Sequence, residues 1–293
     1  MTQLVQNLVL GLLLGGVYAL VAAGLTLIFG VMRVINIAHG ALLILAAFLA
    51  YSLWDGLGVD PLLAILVTSP AIGALGWVIY KLVVAPIRTA PMASTVLLTF
   101  GLALVIEAAM GTVWGNTSTA IRPAYVDESF RFAGLFLPKA QVYGGVLAVV
   151  VLMTLVLLLA RTWLGRAIRA AAVNPSGAEL VGVRVPSVAA LAFALGVAAA
   201  GAGGAIVGVL YPFVPGSHYQ WIARLLAIVV LGGMGSIHGA VLGAVIFGVA
   251  EALTAAWSPQ WATAVPYAIV FVVLLVRPQG LLGSRLREDA VAT

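Results

Sequence analysis

Long stretches without a charged side chain are the feature of this sequence that most restricts its fold. A helix needs about 20 apolar residues to cross the hydrocarbon core of a bilayer, and several of these stretches are long enough for one crossing. They therefore predict membrane-spanning helices. Stretches without Asp, Glu, Lys or Arg include 1–32, 34–54, 61–80, 140–160, 185–223, 225–250 and 252–276.

The composition excludes the other broad classes of protein. Hydrophobic residues make up 63% of the chain and charged residues 8%, whereas a soluble domain carries about 25% charged residues. So few charges cannot coat a soluble protein, and the apolar excess excludes intrinsic disorder. The glycines follow no short period, which excludes a collagen-like fibre. Continuous apolar runs, rather than short alternating segments, exclude a membrane β-barrel. We expect an all-α polytopic membrane protein.

The apolar runs predict about eight or nine transmembrane helices in a single domain, 1–293. Glycine and polar residues interrupt the runs near 30–39 and 232–239. Either place could be a broken helix or a re-entrant loop, which would change the number of crossings. Non-helical backbone at membrane depth must be buried in protein or line a cavity. The candidate crossings are about 5–29, 37–53, 62–80, 94–113, 142–160, 187–211, 222–235, 239–256 and 262–277.

The basic residues orient these crossings, because short cytoplasmic loops carry an excess of Lys and Arg. With the N-terminus outside, ten of the 14 basic residues fall on the inner side and four on the outer side. We therefore expect a cytoplasmic C-terminus, and we attribute the net charge of +5 to topology rather than to nucleic-acid binding. The inner set is Arg33, Lys81, Arg88, Arg161, Arg166, Arg169, Arg184, Arg277, Arg285 and Arg287; the outer set is Arg122, Arg131, Lys139 and Arg224.

Two short segments resemble each other. Segments 36–43 and 235–242 share His-Gly-Ala, an apolar residue and Leu, and both begin an apolar helix. Transporters often contain internal repeats whose interrupted segments mark the translocation site; chance recurrence of a His-Gly pair is the alternative. Neither His39 nor His238 has a carboxylate or a second histidine at i+4. We therefore expect no metal site at either histidine.

Segment 161–186 holds four basic residues in a predicted cytoplasmic loop. Arg166 and Arg169 lie at i and i+3 on one face of a predicted helix, and the alanines that follow favour helix. Such a segment could present a surface to a soluble partner. An ordinary solvated loop, whose arginines only set the topology, is the alternative.

The same segment contains a break in its helix. Asn174 precedes Pro175, and a proline disfavours helical conformation at the residue before it. Residues 176–181 can then form a second short helix with Ser176 or Asn174 as its cap. This second helix is expected to end near Gly182. The pattern is therefore helix, break, helix.

Four stretches carry motifs in one order along almost the whole chain. Segment 165–183 reads Gly-Arg-Ala-x-Arg-Ala, then Asn-Pro, then Ala-x-Leu-x-Gly-Val. The other three stretches are 15–40, 230–243 and 276–283. Together they resemble the permeases of branched-chain amino acid importers of the ABC type, and segment 165–183 resembles the coupling loop of that family.

The sequence departs from the family pattern at two positions. Ala41 stands where an acidic residue is common after the first His-Gly, and His238 stands where proline is common before the second glycine. The first departure bears on any role for an acidic side chain at that point. The second bears on whether the recurrence of His-Gly has a common origin.

The resemblance implies a permease subunit in a bacterial inner membrane, rather than an enzyme, and the charge count then places its N-terminus in the periplasm. Its expected partners are a homologous second permease subunit, two cytoplasmic ATP-binding subunits and a periplasmic substrate-binding protein. The sequence contains no Gly-x-x-x-x-Gly-Lys-Ser/Thr phosphate loop. We therefore expect no cofactor on this chain, and ATP and Mg²⁺ on the partner subunits.

The same resemblance implies coupling between ATPase closure and the membrane helices. Closure would move 166–183 and rock the helices between outward-open and inward-open states. Variants of Arg169 or Gly182 should then uncouple transport while the protein remains in the membrane. The implied coupling residues are Arg166, Arg169, Asn174, Pro175, Glu179, Gly182 and Val183.

Polar residues inside the membrane are expensive and indicate functional sites. Glu107 could meet a substrate ammonium group or a basic partner such as Arg224, or it could make only a structural hydrogen bond. Glu251 is a second intramembrane carboxylate. The chain breaks offer free backbone groups to a zwitterion. The predicted substrate pathway comprises Asn36, His39, Gly40, Glu107 and Gly235.

Alternatives to an amino acid importer stay open on the residues alone. A secondary transporter acting alone would need intramembrane ionisable groups to couple an ion, and this chain has few. A structural scaffold would not need a segment such as 161–186. Urea or short amides are the alternative substrates, since related permeases transport them.

Overall fold

A computed structural model describes residues 2–87, 90–132 and 134–283 of the chain. Three arginines of the charge count, Arg88, Arg285 and Arg287, lie outside these described residues. Over the described ranges the chain forms eleven α-helices and one two-stranded sheet. The helices are α1 (Thr2–Met32), α2 (Ala38–Leu57), α3 (Ile65–Ile79), α4 (Met92–Trp114), α5 (Lys139–Arg161), α6 (Trp163–Val173), α7 (Pro175–Leu180), α8 (Val185–Leu210), α9 (His218–Gly232), α10 (Ile237–Trp257) and α11 (Ala264–Val276).

Each of the nine predicted crossings coincides with one helix. Seven of these helices, counting α3 with the turns that extend it to Ile87, are 20 to 31 residues long and apolar enough to span a bilayer. The crossings predicted at 222–235 and 262–277 coincide with shorter helices, because α9 has 15 residues and α11 has 13. The prediction of an all-α polytopic membrane protein is confirmed.

Helices α1 and α8 form the centre of the bundle, with 67% and 78% of their most apolar segments buried, against 17% for α4. Glycine allows close approach of helix backbones in a membrane. A Cβ atom on Gly24 of α1 would lie 2.3 Å from the carbonyl oxygen of Gly196 in α8. A Cβ atom on Gly204 of α8 would lie 2.1 Å from the carbonyl oxygen of Leu43 in α2. The three helices therefore meet at distances that only glycine permits.

The first predicted break lies between α1 and α2. Arg33 has a φ of 53°, a left-handed conformation that costs a non-glycine residue about 1 kcal/mol or more. The non-helical residues that follow are held by α4, since the Thr99 hydroxyl donates to the Ile35 carbonyl at 3.1 Å and accepts from the Ile37 amide at 3.2 Å. The break is therefore a fixed part of the bundle.

The second predicted break lies between α9 and α10. Gly233 and Gly235 have φ values of 105° and 84°, which end α9 and turn the chain. Ser236 then caps α10, because its hydroxyl accepts a hydrogen bond from the Gly239 amide at 3.1 Å. His39 and His238 are each the second residue of the helix that follows a break. The two breaks thus share the local pattern that the recurrence of His-Gly predicts.

The ends of several helices meet beside the second break. The amides of Leu281 and Leu282, which follow α11, donate to the carbonyls of Leu231 and Gly232 at 2.8 and 2.9 Å. A Cβ atom on Gly30, near the end of α1, would lie 3.5 Å from the carbonyl oxygen of Gly235. The ends of α1, α9 and α11 and the beginning of α10 therefore lie on one side of the bundle.

Helices α6 and α7 form the helix, break, helix pattern predicted for 161–186. Asn174 is the cap of α7, since its side-chain oxygen accepts from the Gly177 amide at 2.9 Å. Pro175 is the first residue of α7, and Gly182 has a φ of 84° in the turn that follows the helix. Of the two caps expected from the sequence, the structure has Asn174 rather than Ser176.

The loop between α4 and α5 contains a hairpin that the sequence analysis did not predict. Strand β1 (Ser129–Phe132) pairs antiparallel with β2 (Leu135–Pro138). The Tyr125 hydroxyl of the same loop donates to Asp60 at 3.4 Å. Burial and the Asp60 carboxylate raise the pKa of Tyr125, so this hydroxyl stays a proton donor. The loop is therefore tied to the segment before α3.

Candidate functional site

The first break places unpartnered polar groups in the interior. Asn36 and His39 are fully buried. His39 Nε2 lies 3.2 Å from the Val21 carbonyl oxygen, whereas His39 Nδ1 and both polar atoms of the Asn36 side chain have no partner among the described residues. A buried polar group without a partner costs about 1–3 kcal/mol. Their unused hydrogen-bonding groups suit a polar ligand or water, and their role in a substrate pathway stays a prediction.

Gly40 joins the first break to α9. A Cβ atom on Gly40 would lie 2.7 Å from the carbonyl oxygen of His218, so this glycine lets the two helices touch. His218 is fully buried, and its Nε2 lies 3.0 Å from Glu107 Oε2. The Tyr219 hydroxyl donates to the same carboxylate oxygen at 2.8 Å. Glu107 and Gly40, two predicted pathway residues, are thus linked through His218.

The proposed pairing of Glu107 with Arg224 is wrong. Arg224 Nη2 lies 3.1 Å from Glu251 Oε1 instead. The reason is helical geometry, since Arg224 is six residues beyond His218 and so points about 240° around the axis of α9 from it. One side of α9 therefore faces Glu107 on α4, and another faces Glu251 on α10.

Arg224 and Glu251 form an intramembrane ion pair with aromatic neighbours. Both side chains are 15% exposed. The Tyr18 hydroxyl of α1 donates to Glu251 Oε2 at 2.8 Å. The Arg224 guanidinium lies 5.2 Å from the Tyr18 ring centre and 5.1 Å from that of Trp221, within reach of a cation–π interaction. The pair connects α1, α9 and α10.

Gly235 lies at a different place from the other predicted pathway residues. It lines a cavity of about 670 Å³ between the ends of α1 and α5, helix α6 and the second break. Asn36, His39, Gly40 and Glu107 do not line this cavity. The predicted pathway residues are therefore divided between an interior polar cluster and a cavity at the side of the second break.

The coupling segment exposes apolar side chains. Val173, Leu180 and Val181 are 87%, 89% and 77% exposed, although they lie outside the seven helices that could span a membrane. The predicted coupling residues Asn174, Pro175, Glu179 and Gly182 are also exposed, and Val183 is half-buried. An exposed apolar patch of this kind is typical of an interaction surface.

The two arginines of α6 have different surroundings. Arg166 Nη1 lies 3.4 Å from the Arg161 carbonyl oxygen, at the end of α5. The Arg169 guanidinium donates to the Leu159 carbonyl, and Arg169 is the one predicted coupling residue that lines the cavity. The cavity and the coupling segment therefore share Arg169.

Sequence reasoning missed His218, Tyr18 and Thr99. His218 stands 111 residues from its partner Glu107, and Tyr18 stands 233 residues from Glu251, so no local motif connects them. The available signal was the scarcity of polar residues, which would have marked His218 as an intramembrane histidine. Among the described residues, no group of three His, Cys, Asp or Glu side chains could hold a metal ion.

Apolar spanning helices, two breaks and buried polar groups beside them define a polytopic membrane protein with a polar interior cluster. Residues 7–274 match the family described as the permease component of the branched-chain amino acid transport system. The chain belongs to this family, and it is a transport subunit rather than an enzyme.

Individual relatives agree with this assignment. The chain is 31% identical to the high-affinity branched-chain amino acid transport system permease protein BraD of Pseudomonas aeruginosa, over 95% of both chains. It is 29% identical to the corresponding protein LivH of Escherichia coli K12, also over 95% of both chains. It is 28% identical to the probable permease LivH of Methanocaldococcus jannaschii, over 76% of this chain and 72% of that one. No solved structure matches the chain.

Proposed function

We propose that this chain is one of two homologous permease subunits of an ATP-driven importer for branched-chain amino acids in a bacterial inner membrane. A periplasmic binding protein delivers the amino acid, and two cytoplasmic ATPase subunits bind ATP and Mg²⁺. The relatives are named for this transport system. The chain itself contributes the membrane path and the surface on which an ATPase docks.

The observation that carries this proposal is the exposed apolar patch of the coupling segment. Val173 ends α6, Leu180 ends α7 and Val181 follows it, on a helix–break–helix unit whose second helix is capped by Asn174. A valine or leucine side chain that exchanges water for full burial against a protein partner contributes about 1.5 kcal/mol or more to binding. Docking of an ATPase on α6 and α7 would transmit its closure directly to the ends of α5 and α8.

Aspartate at both Leu180 and Val181 should weaken ATPase docking at least about tenfold, since the lost apolar burial exceeds 1.4 kcal/mol. Leucine uptake and co-purification of the ATPase subunit should fall together, while the amount of permease in the membrane stays unchanged. The control is Phe132→Asp, because Phe132 is 76% exposed in the hairpin at the opposite predicted face. Unchanged ATPase binding in the double variant would contradict the docking role.

The orientation is testable directly, because the chain contains no cysteine. We expect Ser118→Cys, in the loop after α4, to react with a membrane-impermeant maleimide in intact spheroplasts. Ser176→Cys, on α7, should react only after the membrane is opened. Both native serines are exposed. The reverse pattern of labelling would place the C-terminus in the periplasm and overturn the orientation.

The interior cluster at the first break is the proposed substrate passage. Asn36 and His39 hold unpartnered polar atoms, and Glu107 and His218 adjoin Gly40. These groups can exchange hydrogen bonds with a zwitterion as it passes, and the surrounding apolar helices accept its aliphatic side chain. Alternating access then opens this cluster first to one side of the membrane and then to the other.

A further inference from the structure

The cavity beside the second break has a basic rim and an apolar wall. Arg33, Arg169 and His238 contribute basic side chains, and no Asp or Glu is among its lining residues in the part of the chain that the structure describes. Leu27, Phe29 and Val156 are typical of the apolar side chains of the wall. The volume of about 670 Å³ lies within the usual range for small-molecule sites. This composition suits a small molecule with an anionic group and an aliphatic body.

The end of a helix adds to the positive potential of the cavity. Ser236 and Ile237, at the N-terminal end of the 21-residue helix α10, line the cavity, and the N-terminus of a helix carries partial positive charge. Arg33 turns into the left-handed conformation where α1 ends, and it has no salt bridge among the described residues. An unpaired arginine and a helix N-terminus at one cavity favour an anion there.

A second helix end in the lining carries the opposite partial charge. Phe29, Gly30 and Val31 belong to the last turn of α1 and line the cavity, and the C-terminal end of a helix carries partial negative charge. Thr26, also in the lining, is fully buried and its hydroxyl has no hydrogen-bond partner among the described residues. The carboxylate and the ammonium group of an amino acid, both attached to one carbon atom, can therefore bind at the N-terminal end of α10 and the C-terminal end of α1.

We infer that this cavity is an exit site, which binds the carboxylate of the transported amino acid after it leaves the interior cluster and before it enters the cytoplasm. The inference rests on the proposed function, and it adds Arg33, Arg169 and the beginning of α10 as the groups that hold the carboxylate. Because Arg169 belongs to α6, ATPase docking on the coupling segment acts on the exit site as well.

Thiol chemistry on the assembled permease complex tests the charge of the cavity. Met234 lines the cavity and is 40% exposed, so Met234→Cys places one thiol in an otherwise cysteine-free chain. We expect it to react about tenfold faster with an anionic than with a cationic methanethiosulfonate, given surface potentials of several kT in a charged cleft. Ser118→Cys, exposed in the loop after α4 and outside both the cavity and the ATPase docking surface, should react with both at similar rates.

Neutral variants and matched ligands test the recognition of a carboxylate. Adding Arg33→Gln, or Arg33→Gln with Arg169→Gln, to the Met234→Cys chain should bring its rate ratio to that of Ser118→Cys. Arg33→Gln alone leaves the contact between Arg169 and the Leu159 carbonyl of α5 in place. It therefore separates the effect of lost charge from the effect of losing that contact. Excess leucine and 4-methylpentanoate should slow the reaction of Met234→Cys, whereas isoamylamine, which lacks the carboxylate, should not.

Specific results would overturn the inference. A rate ratio at Met234→Cys equal to that at Ser118→Cys removes the anion site. Equal protection by inorganic phosphate and leucine would show that the cavity does not select the carboxylate of an amino acid. Protection only in bilayers of anionic lipid would show that the cavity binds a lipid headgroup. Uptake of leucine by the same membranes tests the proposed function separately: uptake without protection overturns the exit site alone, and protection without energised uptake overturns the importer.

Discussion

Alanine at position 204 should lower the free energy of unfolding by about 3 kcal/mol, the upper part of the usual range for overpacking. The added Cβ atom would lie 2.1 Å from the Leu43 carbonyl oxygen and 2.7 Å from the Ala46 Cβ atom. A backbone atom cannot rotate away, so α2 and α8 must separate along their whole contact. Thermal unfolding of the purified protein in detergent measures the loss.

Gly101→Ala is the matched control for this substitution. Gly101 lies within α4, and a Cβ atom there would meet nothing within 4 Å. Because glycine inside a helix costs about 0.5–1 kcal/mol relative to alanine, this variant should be neutral or slightly more stable. Equal destabilisation of the two variants would contradict the helix contact at Gly204.

The same contact has a functional consequence. Leu43 follows the first break by only a few residues, and His39 lies one turn before it on α2. Separating α2 from α8 would therefore move the interior cluster relative to α1, where His39 contacts the Val21 carbonyl. We expect Gly204→Ala to lose transport even at temperatures at which the protein remains folded.

The sequence predicts those parts of this fold that depend on local physics. A charge-free stretch of sufficient length becomes a helix in lipid because only internal hydrogen bonds satisfy its backbone. Asn174 and Pro175 end one helix and begin the next by short-range contacts, as the Gly177 amide shows. Both breaks were predicted for the same reason, since glycine and polar residues interrupt the apolar runs there.

The candidate site was only partly predictable because its contacts are not local. His218 meets Glu107 across 111 residues, and the choice of His218 over Arg224 depends on how α9 is rotated. Gly235 was placed with Asn36 because both lie at breaks, yet the structure assigns Gly235 to a separate cavity. Local sequence identifies a break, whereas the packing of distant helices decides which groups the break faces.

The ion pair of Arg224 and Glu251 follows the same rule of distant packing. Glu251 accepts from Arg224 on one oxygen and from the Tyr18 hydroxyl on the other, so its charge is fully engaged. Taking ions out of water is costly, and the pair is stable only while both partners are present. Its removal should therefore depend strongly on whether one partner or both are lost.

Glu251→Ala should destabilise the protein by about 3–5 kcal/mol, because it leaves the Arg224 guanidinium buried without a counter-charge. Replacing both residues, as Glu251→Ala with Arg224→Leu, should restore most of this loss, since apolar side chains suit the same surroundings. Thermal unfolding of the two variants and of the unchanged protein measures the difference. A double variant no more stable than Glu251→Ala would show that Arg224 and Glu251 stabilise the protein by more than neutralising each other's charge.

Glu128→Ala provides the control within the same chain. Glu128 pairs with Lys139 at the beginning of α5, but their side chains are 54% and 26% exposed. An exposed pair contributes only about 0–1 kcal/mol, because water and salt screen it. Loss of this carboxylate should therefore leave the unfolding temperature nearly unchanged, whereas loss of Glu251 should not. Similar effects of the two substitutions would mean that Arg224 reaches water once Glu251 is gone, and that the pair is not enclosed by α1, α9 and α10.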